Sequence, residues 1–267
     1  MSDAPVITFL SDYGLADGFA GVCHGVIATI CPRARVIDIT HGVPRHDIRA
    51  GALILRTALP YAPVGVHLAV VDPDVGAERR AVALRLTDGR LLVGPDNGLL
   101  WLAAQDGGGV SEAVEVGSSP WRLEPVSATF HGRDIFAPVA ARLAAGEELA
   151  DAGPPYDAAG LARLDLPTSR LEDGVLVAHA VYVDRFGNIQ LDATHDDLYN
   201  AGLRLGHGVL VGAHAARYLR TFADARAGEL LVYEDSSQML AVAISQGNAA
   251  ERLVVVAGDE VWIRAQR

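Results

Sequence analysis

The sequence predicts an α/β N-terminal domain with a mostly parallel sheet, residues 1–168, followed by an all-β C-terminal barrel domain, residues 169–267. Three observations carry this reading. Apolar strand-like runs alternate with helix-period segments through the first half, the pattern of a parallel sheet covered by helices. After GPPYDAAG (153–160) and LPTSRLEDG (166–174) the helical periods stop, and short strand-like runs separated by Gly and Asp turns take over. Finally, 267 residues with 50% hydrophobic and 21% charged character are ample for buried cores and too apolar for disorder.

Taken in order, VITFL (6–10) reads as a buried strand, and a helix runs from about Asp17 to Ile30. ARVIDIT (34–40) is the next strand, and HDIRAGALILRTAL (46–59) has helical periodicity. GVHLAVV (65–71), AVALRL (81–86) and RLLVG (90–94) are three more strands, and GRDIFAPVAARLAAG (132–146) closes the half as a helix stopped at Gly146. The second half offers strands at VLVAHAVYVD, NIQLD, GVLVGA, GELLVYE, QMLAVAIS, RLVVVA and EVWIRA, with little helix.

Composition removes several function classes. The net charge is -11, and all 22 basic residues are arginine. Without lysine there is no Schiff-base nucleophile, pyridoxal phosphate anchor or Walker lysine. An acidic chain is a poor partner for nucleic acid, whose affinity comes largely from phosphate neutralisation. No run of 18 apolar residues occurs and MSDAPVITFL lacks a basic leader, so neither a membrane span nor a signal peptide is expected. Cys23 and Cys31 lie on one helix, too far apart along its axis for a disulfide, and have no CxxC spacing. A reduced, cytoplasmic protein without a metal is the expectation.

Four stretches carry chemistry. LSDYGLADGFAG (10–21) follows the first strand, where a parallel sheet keeps its ligand crevice. Its glycines do not fit GxGxxG, so Asp12 suits a ribose diol better than a dinucleotide phosphate, while Asp17 suits a helix cap. VDPDVGAERR (71–80) sets Asp72 at a strand end, with Asp74, Glu78 and Arg80 reading as solvated loop charges. TFHGRDIFAP (129–138) puts His131 just before a helix N-terminus, whose dipole disfavours imidazolium. YVDRFGNIQLD (182–192) sets Asp184, Phe186 and Asn188 on a turn between strands: a stacking face and a purine-edge amide, or plain hairpin chemistry.

Together with GPDNGLL (94–100) and SQGNAA (245–250), these stretches resemble the S-adenosylmethionine hydroxide adenosyltransferase family, relatives of the fluorinase and chlorinase enzymes. The resemblance spans nearly the whole chain and implies the same two-domain fold. It implies a catalytic set of Asp72, Arg79 and His131, and attack of water or hydroxide on ribose C5′ to give adenosine and methionine, with no metal or other cofactor. It places Asp12 and Asp72 at the ribose, Asp184 at the methionine amino group and Asn188 at the adenine edge. Phe186, Ser236, Asn248 and Ala249 line the substrate. It further implies a homotrimer holding the substrate between subunits. A halogenase and a non-enzymatic adenosine or S-adenosylmethionine binder are the alternatives, with a metal-dependent hydrolase built on Asp12, Asp72, Asp74 and His131 as a third. Fluorinases carry a neutral residue in place of Asp72 and a longer insertion before the GPDNGLL segment, which favours water over halide here. The chain departs from the common pattern at Asp74, where Gly is usual, and at His46, where fluorinases carry Trp.

Overall fold

The structure is a computed structural model that describes residues 4–266. The chain divides into two compact units between Leu164 and Asp165.

In the first unit, β1 (Val6–Ser11) leads to α1 (Phe19–Ile30), β2 (Arg35–Thr40) and α2 (Ile48–Ala58). Then come β3 (Val66–Val70), β4 (Ala81–Leu86), β5 (Leu91–Pro95), α3 (Trp101–Asp106) and β6 (Val110–Glu115). A π-helical turn at Gly132–Phe136 runs directly into α4 (Ala137–Ala145). The sheet order is β2-β1-β3-β5-β4-β6. The first four strands are parallel, and β4 pairs antiparallel with both neighbours. Ile7, Phe9, Leu68 and Val70 share a core with Cys23 and Ile27 of α1 and with Val139 and Ala140 of α4. Every residue of β3 is buried. His67, within it, is held near a Thr8 hydroxyl at 2.8 Å, and burial pushes its imidazole pKa down to about 4. Helix α2 lies so close to Val71 and Leu99 that a Cβ on Gly51 would collide with both.

The second unit contains β7 (Arg170–Glu172), β8 (Val175–Val183), β9 (Ile189–Leu191), α5 (His195–Asn200), β10 (Gly208–Val211) and β11 (His214–Tyr218). It ends with β12 (Leu230–Glu234), β13 (Leu240–Ile244), α6 (Ala249–Leu253) and β14 (Glu260–Ala265). The strands run β14-β10-β11-β12-β13-β9-β8-β7, and a further pairing of β14 with β8 closes seven of them into a barrel. Alternation along β8 points Leu176, Ala178 and Ala180 into its core. The predicted fold class is therefore the observed one.

Local differences have local causes. Strand β6 (VSEAVE) escapes the sequence pattern because it is a sheet edge, half buried and rich in Glu. Helices α3 and α5 have 6 residues each, too short to show a period. Strand β11 (HAARY) buries only alternate small or aromatic residues. RLVVVA is not a strand: Arg252 and Leu253 end α6, and Val254 adopts a left-handed φ of 55° where glycine is preferred. Asp17 does not cap α1, whose N-cap is Gly18 with no side-chain bond.

Phe136 is fully buried in the first core, at the junction of the π-turn and α4. Phe136→Ala is expected to lower unfolding free energy by about 3–5 kcal/mol in urea titration, and a loss under about 1 kcal/mol would contradict the packing described.

Candidate active site

The carboxyl end of β3 delivers the first acid. Asn97 Nδ2 donates to the Val71 carbonyl at 2.9 Å and pins the strand end, so that Asp72 starts the loop from a fixed point. The loop turns at once, with Val75 N donating to Asp72 O and Ala77 N to Asp74 O. Gly76 has φ +85°, and a Cβ there would run into the Ala128 carbonyl. The loop therefore touches the segment that carries His131 at a place only glycine fits.

Arg79 closes back on Asp72 as a bidentate pair. Its Nε donates to Oδ1 at 2.7 Å and its Nη2 donates to Oδ2. The side chains are only 8% and 6% exposed, and the guanidinium lies 5.2 Å from the centre of the Phe136 ring. The same Nη2 lies 2.9 Å from His131 Nδ1. Because a guanidinium can only donate, Nδ1 must be the acceptor, and the neutral ring carries its proton on Nε2. The His131 pKa is lowered, first by burial and then by Arg79, against opposing pulls from Asp72 and Asp134. The sequence attributed this neutrality to the helix dipole; burial and the guanidinium are the causes found.

Two residues that lie inside these motifs without being singled out there border this arrangement. Tyr13 sits against Gly132, where a Cβ would strike its hydroxyl. Burial raises its phenol well above the ordinary value, and Cys23, Asp12 and Asp72 push the same way. It thus stays protonated within electrostatic reach of Asp12, Asp72 and Arg79. Its sequence signal was its place inside SDYG, directly after Asp12. Asp134, almost fully buried, accepts from Arg133 Nε at 2.6 Å and from Ser127 N at 2.8 Å. Burial pushes its carboxyl up, but those hydrogen bonds outweigh it and the net shift is downward. Asp12 Oδ2 accepts the backbone N–H of His46 at 3.0 Å, which holds His46 at a left-handed φ of 65°.

In the second unit Asp184 organises the β8–β9 turn. Its Oδ1 accepts from Phe186 N and Asn188 N at 2.8 and 2.9 Å, and its Oδ2 accepts from Asn188 Nδ2 at 2.8 Å. Phe186 is 62% exposed, with Arg185 stacked on its ring at 4.8 Å. A Cβ on Gly187 would collide with Asn248, and Ala250 N donates to Gly187 O at 3.0 Å, so the turn and the start of α6 form one surface. Asn248 caps α6 through Glu251 N at 2.9 Å, and Ala249 is fully buried behind it. Ser236 is exposed on the turn that Asp235 closes by accepting from Ser237 N. Tyr233 links this turn to the other: burial, Asp235 and Asp184 together raise its phenol to about 12.

The structure thus joins Asp72, Arg79 and His131 directly, brings Asp12 into the same field through Tyr13, and gathers Asp184, Phe186, Asn188, Asn248 and Ala249 around one turn. Asp74 and Glu78 are exposed loop residues, and Arg80 stacks on Tyr156 at 5.3 Å. Among the described residues, Asp12, Asp72, Asp74 and His131 do not converge as a set of metal ligands.

Residues 7–153 match the SAM hydroxide adenosyltransferase N-terminal domain and residues 178–262 the C-terminal domain of the same family. An (R)-S-adenosyl-L-methionine hydrolase of Salinispora tropica is 52% identical over 99% of this chain and 100% of its own length. One of Thermus thermophilus is 39% identical, covering 96% and 98%. A fluorinase of Actinoplanes sp. is 29% identical over 90% of each chain. The crystal structure of an uncharacterized conserved protein from Thermotoga maritima superposes with a TM-score of 0.88, at 35% identity, over 97% of this chain and 99% of that one.

The His131 geometry has a pH signature. With a folded pKa below the unfolded value of about 6.5, the neutral ring favours the folded state fully above that pH. The contribution is lost as pH falls from there toward the folded pKa. In an NMR titration the His131 ring is expected to titrate below pH ~6.5, and Arg79→Gln, which removes the second cause, should move it upward. A midpoint at or above the ordinary value in the unmodified protein would refute the described burial and guanidinium contact of His131.

Proposed function

The chain belongs to the SAM hydroxide adenosyltransferase family, and on that premise we propose that it hydrolyses S-adenosyl-L-methionine to adenosine and L-methionine. The observation that carries the reading is the buried Asp72–Arg79 pair with His131 on the same guanidinium. The (R) sulfonium epimer named for the relatives is the substrate form we assign.

The chemistry asks little beyond alignment. The sulfonium leaves as a neutral thioether and needs no acid, so the chain's task is to hold water in line with C5′. As the water attacks, its oxygen becomes positive and must shed a proton. Each Asp72 oxygen keeps a lone pair beyond its bond to Arg79 and accepts from the water there. His131, with Nδ1 occupied, offers an Nε2–H donor that orients the water rather than a base. Arg79 fixes both the carboxylate and the imidazole in place. Asp72 also separates the reaction from halide transfer, because an ionised carboxylate beside the attack position repels an anionic nucleophile.

For substrate binding, Asp12 takes the ribose hydroxyls with Asp72, and Asp184 takes the methionine ammonium. Phe186 offers a stacking face and Asn188 the adenine edge, with Ser236, Asn248 and Ala249 lining the remainder. The exposed Phe186 ring suits a site completed by a second subunit, and a homotrimer is the assembly we assign. The two free, buried cysteines suit the reducing cytoplasm. No helix among the described residues is long and apolar enough to cross a membrane.

Purified protein in excess chelator is expected to release adenosine and methionine in equal amounts from the (R) epimer, as followed by chromatography. Chelator-abolished turnover, or the absence of both products, would overturn the reading. Asp72→Asn should lower kcat by roughly 10²–10⁴-fold, more than it weakens binding. Asp184→Ala should raise KM instead, and light scattering should give three chain masses.

A further inference from the structure

A second cluster lies in the first unit, built from residues that the hydrolytic reading does not use. His24 Nε2 is 2.8 Å from Asp38 Oδ1, and His41 Nε2 is 3.2 Å from the same oxygen. One ligand atom from each of the three residues lies within 4.8 Å of the others. The sequence hides this grouping, because His24 is on α1 and Asp38 and His41 are three positions apart along an extended segment. Residues three apart on a regular strand face opposite sides. Here the β1–β2 register shifts, Phe9 pairing with Asp38 but Leu10 with Thr40, so Ile39 is an extra residue. That bulge returns His41 to the Asp38 side.

The histidine environment is that of a metal ligand. His41 is 2% exposed, and its Nε2 is buried without a hydrogen-bond partner among the described residues although it faces a carboxylate. Its Nδ1 is held by Ser11 Oγ at 2.7 Å. If that contact is an Nδ1–H donor, Nε2 presents a bare lone pair to Asp38, an arrangement that a cation between them resolves. A ligating histidine typically fixes its tautomer through such an outer hydrogen bond. Phe9 fixes the ring planes, with centroids 4.7 Å from His41 and 5.9 Å from His24. Asp38 and His24 are 40% and 37% exposed, which leaves a solvent route for an ion and its remaining water ligands.

We propose that His24 Nε2, Asp38 Oδ1 and His41 Nε2 bind one divalent transition-metal cation of the zinc class. Two imidazoles and a carboxylate select such borderline ions over magnesium or calcium. Three protein ligands leave a position for water. The site stands apart from the water-holding triad and takes no part in hydrolysis. Its reach is structural: Ser11 ends β1 beside Asp12, and the His41 carbonyl accepts Gly14 N at 2.7 Å, so the bound ion braces the base of the Asp12 loop.

The test is calorimetry of Zn²⁺ binding to the chelator-stripped full chain, with Co²⁺ absorption as a second probe of the ligand set. The unmodified protein is expected to bind one Zn²⁺ per chain with a rise in melting temperature. His24→Ala, a half-exposed position that leaves the fold intact, should weaken binding by about 100-fold or more, and Ser11→Ala by about 10–100-fold. Asp72→Asn should bind Zn²⁺ as the unmodified protein does. Equal affinity in His24→Ala, no stoichiometric binding at all, or loss of binding in Asp72→Asn would each overturn the proposal. None of these outcomes depends on turnover, so failure here and failure of the hydrolase reading are distinguishable.

Discussion

Two opposite charges, each less than a tenth exposed, lie against one another as a bidentate pair, and the candidate site of the first unit is arranged around that pairing. Removing Arg79 would leave Asp72 buried and uncompensated, a loss of several kcal/mol in comparable settings. Their pairing returns the β3–β4 loop on itself within seven residues, from a strand end that Asn97 pins through the Val71 carbonyl. It also sets the protonation of His131, which can join the guanidinium only as a neutral acceptor. One ion pair therefore fixes a loop path, a tautomer and the place where water can be polarised.

Glycine determines how closely these parts approach. At Gly76 and Gly132 a single methyl group would meet the Ala128 carbonyl and the Tyr13 hydroxyl. Both contacts draw a loop from a different stretch of sequence onto the same triad.

The parts of this architecture that depend on repeated patterns were legible in the sequence: strands β1 to β5, helices α1, α2 and α4, and the turn-punctuated barrel. Elements governed by position in the sheet were not. Strand β6 carries Glu because it is an edge, and RLVVVA reads as a strand because its valines outvote the cap that Asn248 supplies to α6. For the site, Asp72 and His131 stood out through strand-end and helix-start positions, yet Arg79's double engagement and Tyr13's burial are tertiary facts. Asp184 and Asn188 looked divided between ligand and turn roles, and the structure shows how much of their hydrogen bonding the turn itself uses. The His24, Asp38 and His41 grouping was invisible, because it depends on one extra residue in a strand register.

The β8–β14 pairing has a topological consequence. Leu176 lies opposite Ile263 and His179 opposite Glu260, so the first and last strands of the barrel run side by side. The second unit is in effect a ring cut at an arbitrary point. Its order around the circle is independent of where the chain happens to start. A circular permutant that joins the two ends and opens at the Gly212–Ala213 turn between β10 and β11 would keep every rung of the barrel, changing only the order in which synthesis delivers the strands.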